Sequence, residues 1–131
     1  MLTALYDNSG IEIEGTSQDL RDLARSIREC GSLCHTPLSA PTLSDDRGLR
    51  SVKELVVRVD SNLLKISAAD EKLFVAGARD KLALFSANID WLADSQERGR
   101  PENRDHLHIE FYPGHFFLSE DALPIILVRK D

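Results

Sequence analysis

Three side chains at alternate positions, His106, His108 and Glu110, have the types and spacing that could do chemistry in this chain. The run His106-Leu107-His108-Ile109-Glu110-Phe111 alternates polar and apolar. As a strand it carries both imidazoles and the carboxylate on one face, neighbours about 6.5–7 Å apart. Two histidines and a carboxylate can bind zinc or iron. Such a site needs a matching ligand from a second strand. Glu12 or Glu14 could supply it, whereas His115 lies beyond a turn. The plainer reading, a polar outer face on a half-buried strand, is the expectation.

Other chemistry finds little support. Cys30-Gly31-Ser32-Leu33-Cys34-His35 lacks the Cys-x-x-Cys spacing of zinc knuckles and redox motifs, and no second pair exists elsewhere, so two ordinary thiols are expected. There is no Gly-x-Ser-x-Gly elbow and no Walker-type phosphate loop. The paired acids Asp45-Asp46 and Asp70-Glu71 fall in turn-like, solvated stretches rather than in a desolvated pocket that would raise a carboxyl pKa. The sequence calls for no cofactor and no catalysis.

Length and charge narrow the partners. A chain of 131 residues fits one domain, read here as residues 1–131, and needs no metal or disulfide to build a core. A net charge of −6 argues against nucleic acid or an anionic membrane as partner and suits a basic protein. The opening Met1-Leu2-Thr3-Ala4-Leu5-Tyr6-Asp7 has no basic n-region, so no signal peptide is expected. No apolar run approaches the roughly 20 residues of a membrane span. A cytoplasmic location with reduced cysteines is the default.

The elements that must position these residues follow from periodicity. Leu2–Tyr6 and Ile11–Glu14 read as strands around the turn cluster Asp7-Asn8-Ser9-Gly10. Thr16 with Asp19 three residues on can cap a helix whose apolar face is Leu20, Leu23, Ala24 and Ile27, with Gly31 as its stop. Residues 31–51 read as a long polar connection. Further strands are expected at Lys53–Asp60, Leu63–Ser67 and Lys72–Ala76, then a helix from about Arg79 to Gln96. Pro113-Gly114 suits the centre of a type II turn, after which the chain is expected to return as a strand. Pro124–Val128 reads as a last, deeply buried strand.

The chain also repeats itself. Shifted by 62 positions, Ile11, Ile13, Gly15, Leu20, Leu23 and Ile27 fall on Leu73, Val75, Gly77, Leu82, Phe85 and Ile89. Two similar β-β-α units are read from this; the match is mostly in apolar class and fits either a duplication or the coincidence of a common motif. The second helix differs from the first in one respect. Leu84 and Trp91 lie nearly opposite its core face, either packing under the long loop or forming an association patch.

One stretch resembles a known family. His106-Leu107-His108-Ile109-Glu110-Phe111-Tyr112-Pro113-Gly114-His115, with Phe117-Leu118 and Asp121-Ala122-Leu123-Pro124-Ile125-Ile126, resembles the closing region of the immunity protein 32 family of bacterial polymorphic toxin systems. Ile11-Glu12-Ile13-Glu14-Gly15 and the helix built on Leu20 and Leu23 are similar to that family's start. The resemblance implies a bacterial cytoplasmic protein that neutralises a cognate toxin by binding it, without catalysis. It carries over no binding residue.

The expectation is therefore a single α+β domain, a mainly antiparallel sheet with two helices on one face. Its function is expected to be non-enzymatic toxin binding. From exposure patterns, the candidate contacts are His106, His108 and Glu110 on the strand, Asp45 and Asp46 in the loop, and Trp91 on the helix. Two other readings stay open: a small metal-binding protein or metal-dependent enzyme using the His-x-His-x-Glu strand, and a self-associating domain using Leu84 and Trp91.

Overall fold

The computed structural model describes residues 2–38, 48–94, 106–115 and 117–131. Among the described residues, nine strands and two helices run in the order β1 (Thr3–Asp7), β2 (Gly10–Gly15), α1 (Ser17–Arg28), β3 (Leu33–Pro37), β4 (Arg50–Ser51), β5 (Glu54–Asp60), β6 (Lys65–Ala69), β7 (Lys72–Ala78), α2 (Arg79–Asp94), β8 (His106–Ile109) and β9 (Ile125–Arg129).

Local chemistry explains the first unit. Asp7 Oδ1 accepts from the Ser9 and Gly10 amides at 2.7 and 3.1 Å and closes the β1–β2 turn. Thr16 and Asp19 form a full capping box, each side chain taking the other's backbone N–H. Leu20, Leu23, Ala24 and Ile27 are buried, as the spacing predicts. The helix does not stop on Gly31, which has no positive φ. It ends at Glu29, and Arg79 donates to the Cys30 and Gly31 carbonyls at 3.2 and 2.9 Å. A guanidinium from the second helix therefore ties down the chain just beyond the end of α1.

The α+β class is as expected, with one difference in the sheet. Two sheets form, ordered β4-β1-β2-β9-β8 and β3-β5-β7-β6. Most strand pairs are antiparallel, but β2–β9 and β5–β7, inside the two sheets, are parallel. The reason is an exchange between the halves. The hairpin β1–β2 of the first half pairs with β8–β9 of the second, and the hairpin β6–β7 of the second pairs with β3–β5 of the first. Backbone bonds such as Leu64 N–H to Phe117 O and Leu123 N–H to Ile66 O, both 2.8 Å, tie the segment leading into β9 to the β6 side of the other sheet.

The repeat is visible in atomic contacts. Ser86 Oγ donates to Ala24 O at 3.2 Å and Arg28 meets Asp90 at 2.8 Å, and both contacts join positions 62 apart. Gly15 is fitted against Leu2, where an added Cβ would come within 2.8 Å of Cδ1. Its counterpart Gly77 is fitted against Leu64, the counterpart of Leu2, at 3.0 Å from Cα. The two helices pack on each other through Ala24 and Ser86, both wholly buried, and α2 also contacts strands of both sheets. Ile11, Ile13, Leu55, Val57, Leu73, Val75, Ile125 and Leu127 complete one continuous core.

Two further expectations change. The stretch read as a long connection contains β3 and β4; residues 39–47 lie outside the described set. Strand β3 escapes a periodicity search because Leu33, His35 and Pro37 are exposed and only Cys34 and Thr36 turn inward. It forms by pairing with β5, Cys34 opposite Val57. The chain does not return as a partner of β8 after Pro113-Gly114. Leu118 instead bridges Leu64 in the other sheet. Helix α2 is described to Asp94, and Ser95 and Gln96 lie outside the described residues. Among the described residues no helix is long and apolar enough to cross a membrane.

Candidate functional site

The outward face of the five-stranded sheet holds the histidine strand. Alternation in β8 leaves His106 and His108 exposed and sends Ile109 into the core. Cross-strand register then sets one row, Leu5, Glu12, Ile126 and His108, and a second, Thr3, Glu14, Val128 and His106. Each histidine thus shares its row with a glutamate two strands away, with an aliphatic residue between. Two interstrand spacings separate their Cα atoms by about 10 Å. Among the described residues no three His, Cys, Asp or Glu side chains come together in a way that could hold a metal. Glu110 lies just past β8, its carboxylate 3.8 Å from His108 Nε2.

These residues border a groove of about 390 Å³. Leu5, Asp7, Ser9, Gly10, Ile11, Glu12, Leu49, His108, Glu110, Pro124 and Ile126 line it. Its ionised walls are the carboxylates of Asp7, Glu12 and Glu110; no lysine or arginine lines it among the described residues. The groove is therefore an anionic trough with an aliphatic floor, suited to cationic side chains rather than to proton-transfer chemistry.

His115, the other histidine of this region, has a different job. The backbone turns through Tyr112-Pro113-Gly114-His115, with His115 N–H donating to Tyr112 O at 2.9 Å and Gly114 at φ +90°, as the Pro-Gly pair predicts. The ring packs between Tyr112 and Phe117. Its Nδ1 accepts from the Phe117 and Leu118 amides at 3.3 and 3.1 Å. Burial pushes its pKa below the ordinary histidine value. The neutral ring is the folded form, so its contribution to stability is complete above the unfolded value of about 6.5 and is lost as pH falls through the lower folded value. The urea midpoint should therefore fall between pH 7.5 and 5. In His115→Ala that slope should flatten, with about 1–2 kcal/mol lost at pH 7.5. An unchanged slope would remove His115 from this role.

The remaining candidates scatter. Trp91 is 65 % exposed and Leu84 37 % exposed, both on α2. The helix layer carries them, away from the outward face of β8. Asp45 and Asp46 lie outside the described residues. Asp70 and Glu71 form an exposed turn with φ +52° and +64°. Cys30 and Cys34 are free thiols. Burial, with the Cys30–Cys34 hydrogen bond that favours the protonated thiol second, pushes Cys30 up to about 11 and keeps it an inert thiol at neutral pH.

Two charged residues were missed in the sequence. Arg129 is 2 % exposed and donates Nη1 to the Leu92 and Ala93 carbonyls, at 3.1 and 3.3 Å, in the last turn of α2. Asp131 Oδ1 accepts from Ser17 N–H and Oγ at 3.0 and 2.8 Å at the start of α1, and the Ser17 hydroxyl is the main cause of its lowered pKa. The parity of Ile125, Leu127 and Arg129 was the available signal for the first.

Residues 72–130 match the family model of Immunity protein 32. This is the family the sequence resembles. The match runs from β7 to β9 and includes the Tyr112–His115 turn; the similar opening around Ile11–Gly15 lies outside it. An immunity protein family implies toxin neutralisation, and such families are generally non-enzymatic. No curated protein and no solved structure matches the chain.

Proposed function

We propose that this chain is a cytoplasmic, non-enzymatic immunity protein that neutralises a cognate bacterial toxin by binding it. The match of residues 72–130 to the immunity protein 32 family carries this reading. The anionic groove suggests the docking face. His106, His108 and Glu110, joined by Glu12, would meet a cationic patch of a basic toxin, and complementary charge would speed capture. Asp45 and Asp46 remain proposed contacts of the same sign.

The test uses the toxin domain encoded by the adjacent reading frame. Glu12→Lys with Glu110→Lys should weaken its binding by about 100-fold at low salt and flatten the salt dependence. Unchanged affinity and salt dependence would remove this face.

Trp91 would not share that face. Together with Leu84 it is the proposed self-association surface, and light scattering should show mass rising with concentration through the micromolar range. A monomer throughout would discard that surface.

A further inference from the structure

The repeat places a second groove where the first has its counterpart. The row Ser67, Phe74, Val56 and His35 across β6, β7, β5 and β3 answers the row Leu5, Glu12, Ile126 and His108. A trough of about 440 Å³ runs over it. Its polarity is reversed. Phe74 stands where the first groove has Glu12, Val56 and Leu33 extend the apolar floor, and the charged side chains lining it are Arg58 and Lys65, whose surface pairs with Asp60 and Asp121, at 3.9 and 3.1 Å, an acidic partner would have to replace.

The strand beside this trough has an open edge. In an antiparallel pair alternate residues bond inward. Val59 N–H donates to Ser32 O and Leu38 N–H to Lys53 O, both at 2.8 Å, so the even-numbered positions of β3 face β5. The backbone groups of Leu33 and His35, and the Pro37 carbonyl, then point to the other side. No strand pairs there among the described residues. Natural edges are commonly blunted by charged side chains or proline; Pro37 guards the end of β3, but Leu33 to Thr36 carry no Lys, Arg, Asp or Glu. Leu33 lies 54 % exposed on it.

The geometry points to a second docking face, on which an extended partner segment of alternating apolar and acidic residues adds to β3 as a further strand. The free edge selects an extended backbone. The Leu33, Val56 and Phe74 floor takes the apolar side chains, and Arg58 and Lys65 take the acidic ones. This face is independent of the toxin-binding reading, and its test uses no toxin.

The probe is a synthetic twelve-residue peptide alternating valine and glutamate, titrated into the ¹⁵N-labelled protein. Saturable amide shifts should centre on Leu33, His35, Val56 and Phe74, at peptide concentrations on the order of 0.1–1 mM. The Arg58→Glu variant and a valine–lysine peptide should each bind at least about tenfold more weakly. Leu33→Lys should do the same while leaving the dispersed spectrum of a folded protein. Absence of shifts up to the millimolar range would overturn the proposal. So would shifts centred on β8, equal binding of the lysine peptide, or peptide-free, concentration-dependent shifts of β3 showing that a second copy occupies the edge.

Discussion

Arg129→Ala is expected to destabilise the protein by about 3–4 kcal/mol, read from urea denaturation at pH 7. The arginine is always charged and almost wholly buried, and its Nη1 serves two carbonyls at the C-terminal turn of α2. Truncation leaves those carbonyls without their donor, at roughly 1–3 kcal/mol for a buried group. It also removes a cation from the negative end of a helix, worth up to about 2 kcal/mol in partly buried geometry, and opens a gap where the aliphatic stem packed. Arg129→Lys keeps the charge but not the reach of the guanidinium, so it should recover part of the loss. A cost below about 1 kcal/mol for the alanine variant would mean that β9 and α2 hold together without this tie.

Phe85→Ala should cost about as much, roughly 3–5 kcal/mol, by cavity formation. Phe85 is the largest fully buried side chain among the described residues and sits on the buried face of α2, next to Ser86. Its neighbour Ser86 is bonded to Ala24 at the helix crossing, so the helices cannot close over the cavity without breaking that contact. A domain of this size is typically stable by about 5–15 kcal/mol, so this variant should stand near the edge of folding at 37 °C. The counterpart substitution, Leu23→Ala, should cost less because a smaller side chain is removed. A loss below about 1.5 kcal/mol for Phe85→Ala would show that the crossing relaxes freely.

How far the sequence reached depends on the range of each interaction. The Thr16–Asp19 capping box and the apolar face of α1 were legible because they are local and periodic. The offset of 62 exposed the duplicated units, and Gly15 and Gly77 marked equivalent points. That both glycines admit a leucine, Leu2 and Leu64, needed coordinates. The division into two sheets was hidden because the parallel pairs β2–β9 and β5–β7 join different halves of the duplication. No alternation within a strand names its partner. Strand β3 was hidden for a related reason, since pairing with β5 rather than its own hydrophobicity makes it a strand.

At the candidate site the outward face of His106 and His108 was legible from period two. What separates them from Glu12 and Glu14 was not, because register puts Ile126 and Val128 in between. The pattern that raised a metal site therefore lies along a mixed polar and aliphatic sheet face. His115 shows the opposite case. The Tyr-Pro-Gly-His stretch that most specifically resembles the family builds a turn and seats Phe117 and Leu118 in the core, so its part in the fold is structural.

The most direct measurement is growth of cells expressing the C-terminal domain encoded by the adjacent reading frame, with and without this protein. The domain alone should arrest growth, co-expression should restore it, and the two proteins should purify together as a stable complex. Arrest that this protein fails to relieve, with no complex recovered, would contradict it.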